Sequence, residues 1–162
     1  MKKFFIVVYV FMGFSMFSQA RLNISSGSSV YFYFNSYQKY VDGVTYNDFT
    51  KLSIYYKDTT AANTYPTWRL DFKALTSEIN GEMSSNTLDL NVIELEATGA
   101  GNSEGIVPLS DSDNIPLLTN ASETDPGTAT VFVTYYCGVT NSLLGKDPDY
   151  YVVDILFTLT GE

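Results

Sequence analysis

Apolar and polar residues alternate with a period of two in many segments of this chain. In the stretch 67–76 the apolar positions are Trp68, Leu70, Phe72 and Ala74, and the polar positions between them are Arg69, Asp71 and Lys73. Successive side chains of a β-strand point to opposite faces of its sheet, so this pattern predicts a strand with one buried face. We therefore expect Trp68 to lie in the core.

Six further stretches are typical of strands: 29–35, 49–57, 87–97, 115–120, 129–137 and 150–160. The pattern in 87–97 changes parity after Val92, which predicts a β-bulge. The final stretch would place Tyr151, Val153, Ile155, Phe157 and Leu159 on one face. No stretch carries a helical period, and the best helix candidate, 73–83, contains Gly81.

Polar turns separate these strands, among them Asp42-Gly43, Asn80-Gly81 and Pro126-Gly127. Many short strands with turn residues between them favour an all-β fold, an antiparallel β-sandwich. The polar stretch 98–114 is interpreted as a loop within it, so residues 21–162 are expected to form a single β-sandwich domain.

Residues 1–20 have the layout of a secretory signal peptide. Lys2 and Lys3 precede an apolar run of 14 residues, and small residues lead to a cleavage site after Ala20. The run is short for a membrane span, which needs about 20 residues. We therefore expect a bacterial protein that is secreted or held at the cell surface or in the periplasm, with no membrane span after cleavage.

The inventory of reactive side chains is small. Cys137 is the single cysteine, so no intramolecular disulfide can form, and its place in a predicted strand indicates a small buried hydrophobe. The chain has no histidine, which excludes Ser–His and Cys–His catalysis and the commonest zinc ligand. We expect a protein that is not an enzyme and needs no cofactor.

Acidic residues dominate the charge. Loss of Lys2 and Lys3 with the signal would lower the formal charge from −9 to −11, which disfavours nucleic acid as a partner. Two pairs of loop carboxylates, Asp111 with Asp113 and Asp147 with Asp149, could bind calcium together with backbone carbonyls, or could cap turns. Pro116 occupies the position where an EF-hand needs glycine, so turn capping is favoured and no metal ligand is assigned.

Tyrosine and phenylalanine are concentrated between Tyr31 and Tyr56, where they make up ten of 26 residues. Exposed tyrosine rings stack on sugar rings and anchor protein interfaces. The candidate ligand-binding residues are Tyr37, Tyr40, Tyr46, Tyr55 and Tyr56. The alternative is that tyrosine simply serves as a good strand residue on an exposed face.

Two segments resemble known families. The sequences TWRLDFKA (67–74) and DILFTLTG (154–161) are similar to the two Trp-x-Leu motifs of WxL cell-surface domains, with Phe157 in place of the second Trp. The tail DYYVVDILFTL (149–159) resembles the last strand of chaperone–usher pilin subunits. The resemblance implies an immunoglobulin-like or pilin-like sandwich without enzymatic activity, attached to cell walls or polymerised into surface fibres.

These observations together favour an exported, non-enzymatic structural or adhesive protein of the cell surface. Its partners would be other surface protein subunits or cell-surface glycans. The alternative function is a carbohydrate-binding module that uses exposed tyrosines of residues 31–56.

Overall fold

The chain forms twelve described strands and two short helices. The computed structural model describes residues 18–60, 62–83 and 85–162. The strands are β1 (Ser18–Ser26), β2 (Val44–Asp58), β3 (Thr67–Ala74), β4 (Ile79–Gly81), β5 (Thr87–Leu88), β6 (Ile93–Thr98), β7 (Asn102–Ser103), β8 (Val107–Pro108), β9 (Ile115–Ser122), β10 (Ala129–Cys137), β11 (Tyr151–Val152) and β12 (Ile155–Gly161). Helix α1 spans Tyr37–Asp42, and a 3-10 helix spans Leu90–Val92.

The strands form antiparallel sheets that share one hydrophobic core. A five-stranded sheet has the order β1-β2-β10-β6-β8, and a four-stranded sheet has the order β12-β3-β9-β7. A third, smaller sheet has the order β11-β4-β5. Every described strand pairing is antiparallel, so the predicted all-β, antiparallel sandwich is confirmed.

The core lies where the inward faces of the two larger sheets meet. The predicted inward face of β3 is buried, and Trp68 at its start is inaccessible to solvent, as predicted. The indole Nε1–H of Trp68 donates to the carbonyl oxygen of Ser122 at 2.8 Å, so its polar atom is satisfied inside the core. Strands β2, β6 and β10 supply the facing side chains, and Cys137 at the end of β10 is buried, as predicted.

The last predicted strand is divided into β11 and β12. β11 pairs with β4, whereas β12 pairs with β3, with Phe157 opposite Phe72 and Leu159 opposite Leu70. The predicted alternation is present, but its apolar face is only half-buried. β12 is an edge strand, so it has a sheet neighbour on one side only.

Several local predictions were wrong. The stretch 98–114, predicted to be a loop, contains the two-residue strands β7 and β8. Residues 29–35 form no strand, while β1 and α1 were not predicted. The parity change in 87–97 is a 3-10 turn between β5 and β6 and not a bulge within one strand. The remaining predicted strands lie in β2, β3, β9 and β10. Residues 1–17 of the expected signal peptide lie outside the described residues.

Candidate functional site

Residues 27–35, named the strap, connect β1 to α1 and lie over a cavity between the sheets. The strap begins at Gly27, whose φ of 70° favours glycine and whose missing Cβ would collide with the Phe49 carbonyl oxygen. The Gly27 carbonyl accepts a hydrogen bond from the Thr50 hydroxyl at 2.5 Å. Between residues 28 and 35, no backbone group bonds to another described backbone group.

Side-chain packing holds the strap against the sandwich. Its even-numbered residues Val30, Phe32 and Phe34 are half-buried and pack on the core. The ring of Phe32 stacks on Tyr46 with centroids 5.2 Å apart, and Phe34 contacts Tyr40 at 5.4 Å. The alternation noted in the sequence is therefore real, but it positions aromatic side chains on a neighbouring surface without forming a sheet ladder.

The cavity beneath the strap has a volume of about 710 Å³. Its floor includes the buried side chains of Ile79, Val92, Cys137 and Leu143. Its lining also includes the half-buried side chains of Val153, between β11 and β12, and of Ile155 and Phe157 on β12. The apolar face that β12 leaves incompletely covered therefore borders this cavity.

Four large side chains that are more than half exposed line the same cavity and are named the rim: Tyr31, Tyr33, Tyr150 and Val152. Their exposed fractions are 53%, 63%, 57% and 51%. Tyr31 and Tyr33 are the outward positions of the strap, and Tyr150 and Val152 lie at β11. The rim combines two segments more than 100 residues apart in sequence, so no local pattern could have identified it.

The five candidate tyrosines do not form one surface. Tyr37 begins α1 and is 72% exposed. Tyr40 and Tyr46 are half-buried, and their rings contact strap phenylalanines. The ring of Tyr55 lies under the guanidinium of Arg21, 5.1 Å from the ring centroid, and its hydroxyl donates to Asp125 at 3.2 Å.

Tyr56 is wrongly assigned as a ligand-binding residue. It is completely buried in the core, and its hydroxyl donates to the carbonyl oxygen of Tyr65 at 2.9 Å. Tyr56 belongs to the inward parity of β2, together with Leu52 and Ile54, whereas Tyr55 belongs to the other face. Adjacent residues of a strand lie on opposite faces of the sheet, so Tyr55 and Tyr56 have different environments although both belong to the same tyrosine-rich stretch.

The buried titratable groups near the cavity are held neutral. Burial raises the pKa of the Cys137 thiol to about 12 and raises the pKa of Tyr135. On the outward side of β10, a hydrogen bond to the Glu96 carboxylate, aided by burial, raises the pKa of Tyr136 to about 12. A thiol with such a pKa carries almost no thiolate at neutral pH, so Cys137 is a poor nucleophile.

Two of the four loop carboxylates, those of Asp113 and Asp149, have partners within the fold. Asp113 forms an ion pair with Lys73 at 2.5 Å, whereas Asp111 is exposed. Asp149 accepts hydrogen bonds from the Met83 backbone N–H and the Asn86 amide, which attach the segment before β11 to the β4–β5 turn. In the ranges that the structure describes, no three His, Cys, Asp or Glu side chains cluster as metal ligands.

Neither protein-family models nor curated protein sequences give a match to this chain. Within the described residues, no helix has the length and apolar content needed to cross a membrane.

Proposed function

We propose that this chain is an exported, non-enzymatic protein of the bacterial cell surface that acts as a structural or adhesive component. Its partner would be another surface protein. The layout of residues 1–20 supports export, and the acidic composition disfavours nucleic acid. The resemblance of 67–74 and 154–161 to surface-domain motifs supports the same location, and these segments lie on the paired strands β3 and β12.

The observation that carries this proposal is the rim. Three tyrosines and a valine, each at least half exposed, line one cavity mouth. Tyrosine is enriched at protein interfaces because its ring buries a large apolar area while its hydroxyl still finds a hydrogen-bond partner. Exposed apolar residues gathered at one place mark interaction sites more often than scattered ones do.

The test replaces Tyr31, Tyr33 and Tyr150 together by alanine in the natural host. We expect the protein to be exported and folded as before but to lose surface retention or adhesion by about tenfold or more, because interface tyrosines frequently contribute over 1 kcal/mol each. Ile106→Ala is the matched control, since Ile106 is exposed to a similar degree and lies outside the cavity lining. Equal adhesion of both variants would contradict the proposal.

A carbohydrate-binding module is the second candidate, and the exposure of Tyr37 favours it. Tyr33 and Tyr37 are both exposed, and the Lys39 side chain on α1 donates to the Tyr33 carbonyl at 3.0 Å, which attaches the strap to the helix that carries Tyr37. Exposed tyrosine rings suit stacking on sugars. A glycan array separates the two candidates: binding that is lost in Tyr37→Ala and kept in Ile106→Ala would assign the sugar function, and absence of binding would exclude it.

A further inference from the structure

We propose that the cavity beneath the strap is a binding site for an uncharged, largely apolar molecule with one hydrogen-bond donor, of the class of long-chain alcohols. The rim borders this same cavity, but the inference concerns the cavity interior and does not depend on the proposed adhesive function. The inference stands on the cavity's size and lining, on a buried hydroxyl pair and on the charge of the lining residues.

The size and lining of the cavity suit a small apolar ligand. Pockets for such molecules typically have volumes of about 300–1,000 Å³, and they combine apolar walls with a few polar groups. The cavity of about 710 Å³ falls within this range. Its walls include Phe32 and Phe34 from the strap, Leu143, and Ile155 and Phe157 from β12. Burial of a charged group against such walls would be costly, which favours an uncharged ligand.

Two buried hydroxyls provide one acceptor for that ligand. Thr50 and Tyr135 line the cavity, and their oxygens lie 2.9 Å apart. The Thr50 hydroxyl has a single proton, which it donates to the Gly27 carbonyl, a group that can only accept. Tyr135 must therefore donate to Thr50. No other described group hydrogen-bonds to the Tyr135 oxygen, so a lone pair there remains to accept a hydrogen bond from a ligand hydroxyl.

The charge of the lining disfavours an anionic ligand such as a fatty acid. Three aspartates, Asp147, Asp149 and Asp154, are among the lining residues, together with a single lysine, Lys146. The whole chain, with these residues included, has a formal charge of −9. A carboxylate ligand would meet repulsion from these aspartates and desolvation inside.

The strap provides an entry route that leaves the sheets intact. Its backbone between residues 28 and 35 has no hydrogen bond to described backbone. A displacement of Phe32 and Phe34 therefore breaks side-chain packing and no sheet ladder. The hydrocarbon chain of the ligand would then make some of the apolar contacts that Phe32 and Phe34 lose.

Binding is tested on the full folded chain with the neutral fluorescent probe N-phenylnaphthylamine. The probe is displaced by three molecules of equal chain length: decanol, decylammonium and decanoate. We expect decanol to bind at least about tenfold more tightly than decanoate, a difference of roughly 1.4 kcal/mol. Decylammonium binding more tightly than decanol would contradict the uncharged class, and decanoate binding as tightly as decanol would contradict the charge argument.

Matched variants locate the site. Ile155→Trp fills the cavity and should abolish decanol binding, whereas Leu156→Trp, on the opposite face of β12, should leave it unchanged. Tyr135→Phe removes the acceptor and should weaken decanol binding several-fold while binding of the hydrocarbon decane changes little. A thermal melt verifies folding, and Val153→Trp serves if Ile155→Trp does not fold. Equal decanol binding by the filled-cavity and Leu156→Trp variants would overturn the proposal.

Discussion

At the scale of single residues, Asp58 at the end of β2 organises the loop that leads to β3. Its carboxylate accepts hydrogen bonds from the backbone N–H and the hydroxyl of Thr60 and from the backbone N–H of Tyr65, each at 2.8 Å. The carbonyl oxygen of Tyr65 in turn accepts a hydrogen bond from the hydroxyl of Tyr56. One carboxylate and one buried tyrosine thus hold both ends of this loop.

Asp58 should make stability depend on pH in the acid range. Burial alone would raise the pKa of Asp58, but the N–H groups of Thr60 and Tyr65 and the Thr60 hydroxyl together lower it. A lowered folded-state pKa stabilises the fold above the unfolded value of about 3.9, and this contribution is lost as the pH falls through the folded-state pKa. Asp58→Asn should therefore be less stable at pH 7, with a difference that shrinks below about pH 4.

Urea unfolding at several pH values checks this prediction. Asp111→Asn is the control, because Asp111 is an exposed aspartate on another loop. A difference between Asp58→Asn and the unsubstituted chain that stays constant down to pH 2 would show that the carboxylate charge has no part in holding the loop.

Trp68 should contribute strongly to stability. Truncation of a buried tryptophan typically costs about 3–5 kcal/mol, a large part of the stability of a small protein. Trp68→Ala also removes the hydrogen bond that the indole donates to the Ser122 carbonyl. We expect a large loss in the free energy of unfolding measured with urea, while the exposed Leu75→Ala changes it little. Normal stability of Trp68→Ala would refute the core role.

Cys137 should resist thiol reagents in the folded protein. The side chain is buried, and its raised pKa leaves almost no thiolate at pH 8. Reaction with a chromogenic disulfide should therefore be slow until denaturant is added, when the rate should approach that of a free cysteine. Rapid reaction of the native protein would show that the cavity above Cys137 admits the reagent.

At the scale of elements, alternation predicted strands correctly where a partner strand exists. β3 and β10 were predicted from sequence because both are central in their sheets, so one face of each is buried and its apolar residues repeat every second position. The strap carries the same pattern but lies where no described strand pairs with it. The pattern of apolar residues indicates which side chains are buried. Whether the backbone also forms hydrogen bonds with a neighbouring strand depends on the topology of the fold.

The elements that were not predicted from the sequence bury few apolar side chains. Helix α1 has no buried residue and is only six residues long, with Ser36 as its N-cap, so no helical period exists to detect. β1 is an edge strand in which Leu22 alone among its apolar side chains is half-buried. The rim and the cavity depend on contacts between the strap and β11–β12, which a single sequence does not encode locally.

The turn into the strap gives a prediction at this scale. Gly27 and Gly105 have similar φ angles, 70° and 78°, but a Cβ at Gly27 would collide with the Phe49 carbonyl, whereas a Cβ at Gly105 meets nothing within 4 Å. Left-handed backbone costs an L-residue about 1–2 kcal/mol. Gly105→Ala should lose only that amount, and Gly27→Ala should lose clearly more by urea unfolding. Equal losses would show that the strap readily moves away from β2.

At the scale of the whole molecule, charge repulsion opposes folding. The chain has 18 acidic and nine basic side chains. The ion pairs of its described residues include Lys57 with Asp125 at 2.7 Å and Lys73 with Asp113 at 2.5 Å, both exposed to solvent to a considerable degree. Exposed pairs contribute only about 0–1 kcal/mol each, so the unpaired excess of carboxylates dominates the long-range electrostatics.

Moderate salt should therefore stabilise the protein. The screening length falls from about 30 Å at 0.01 M to about 8 Å at 0.15 M ionic strength, which weakens repulsion across the molecule more than attraction at contact distance. We expect the melting temperature to rise over this range of sodium chloride. In the double variant Glu82→Gln with Asp111→Asn, which removes two exposed negative charges, the rise should be smaller because less repulsion remains to be screened. A melting temperature that falls with added salt would mean that the surface ion pairs, and not the net charge, control stability.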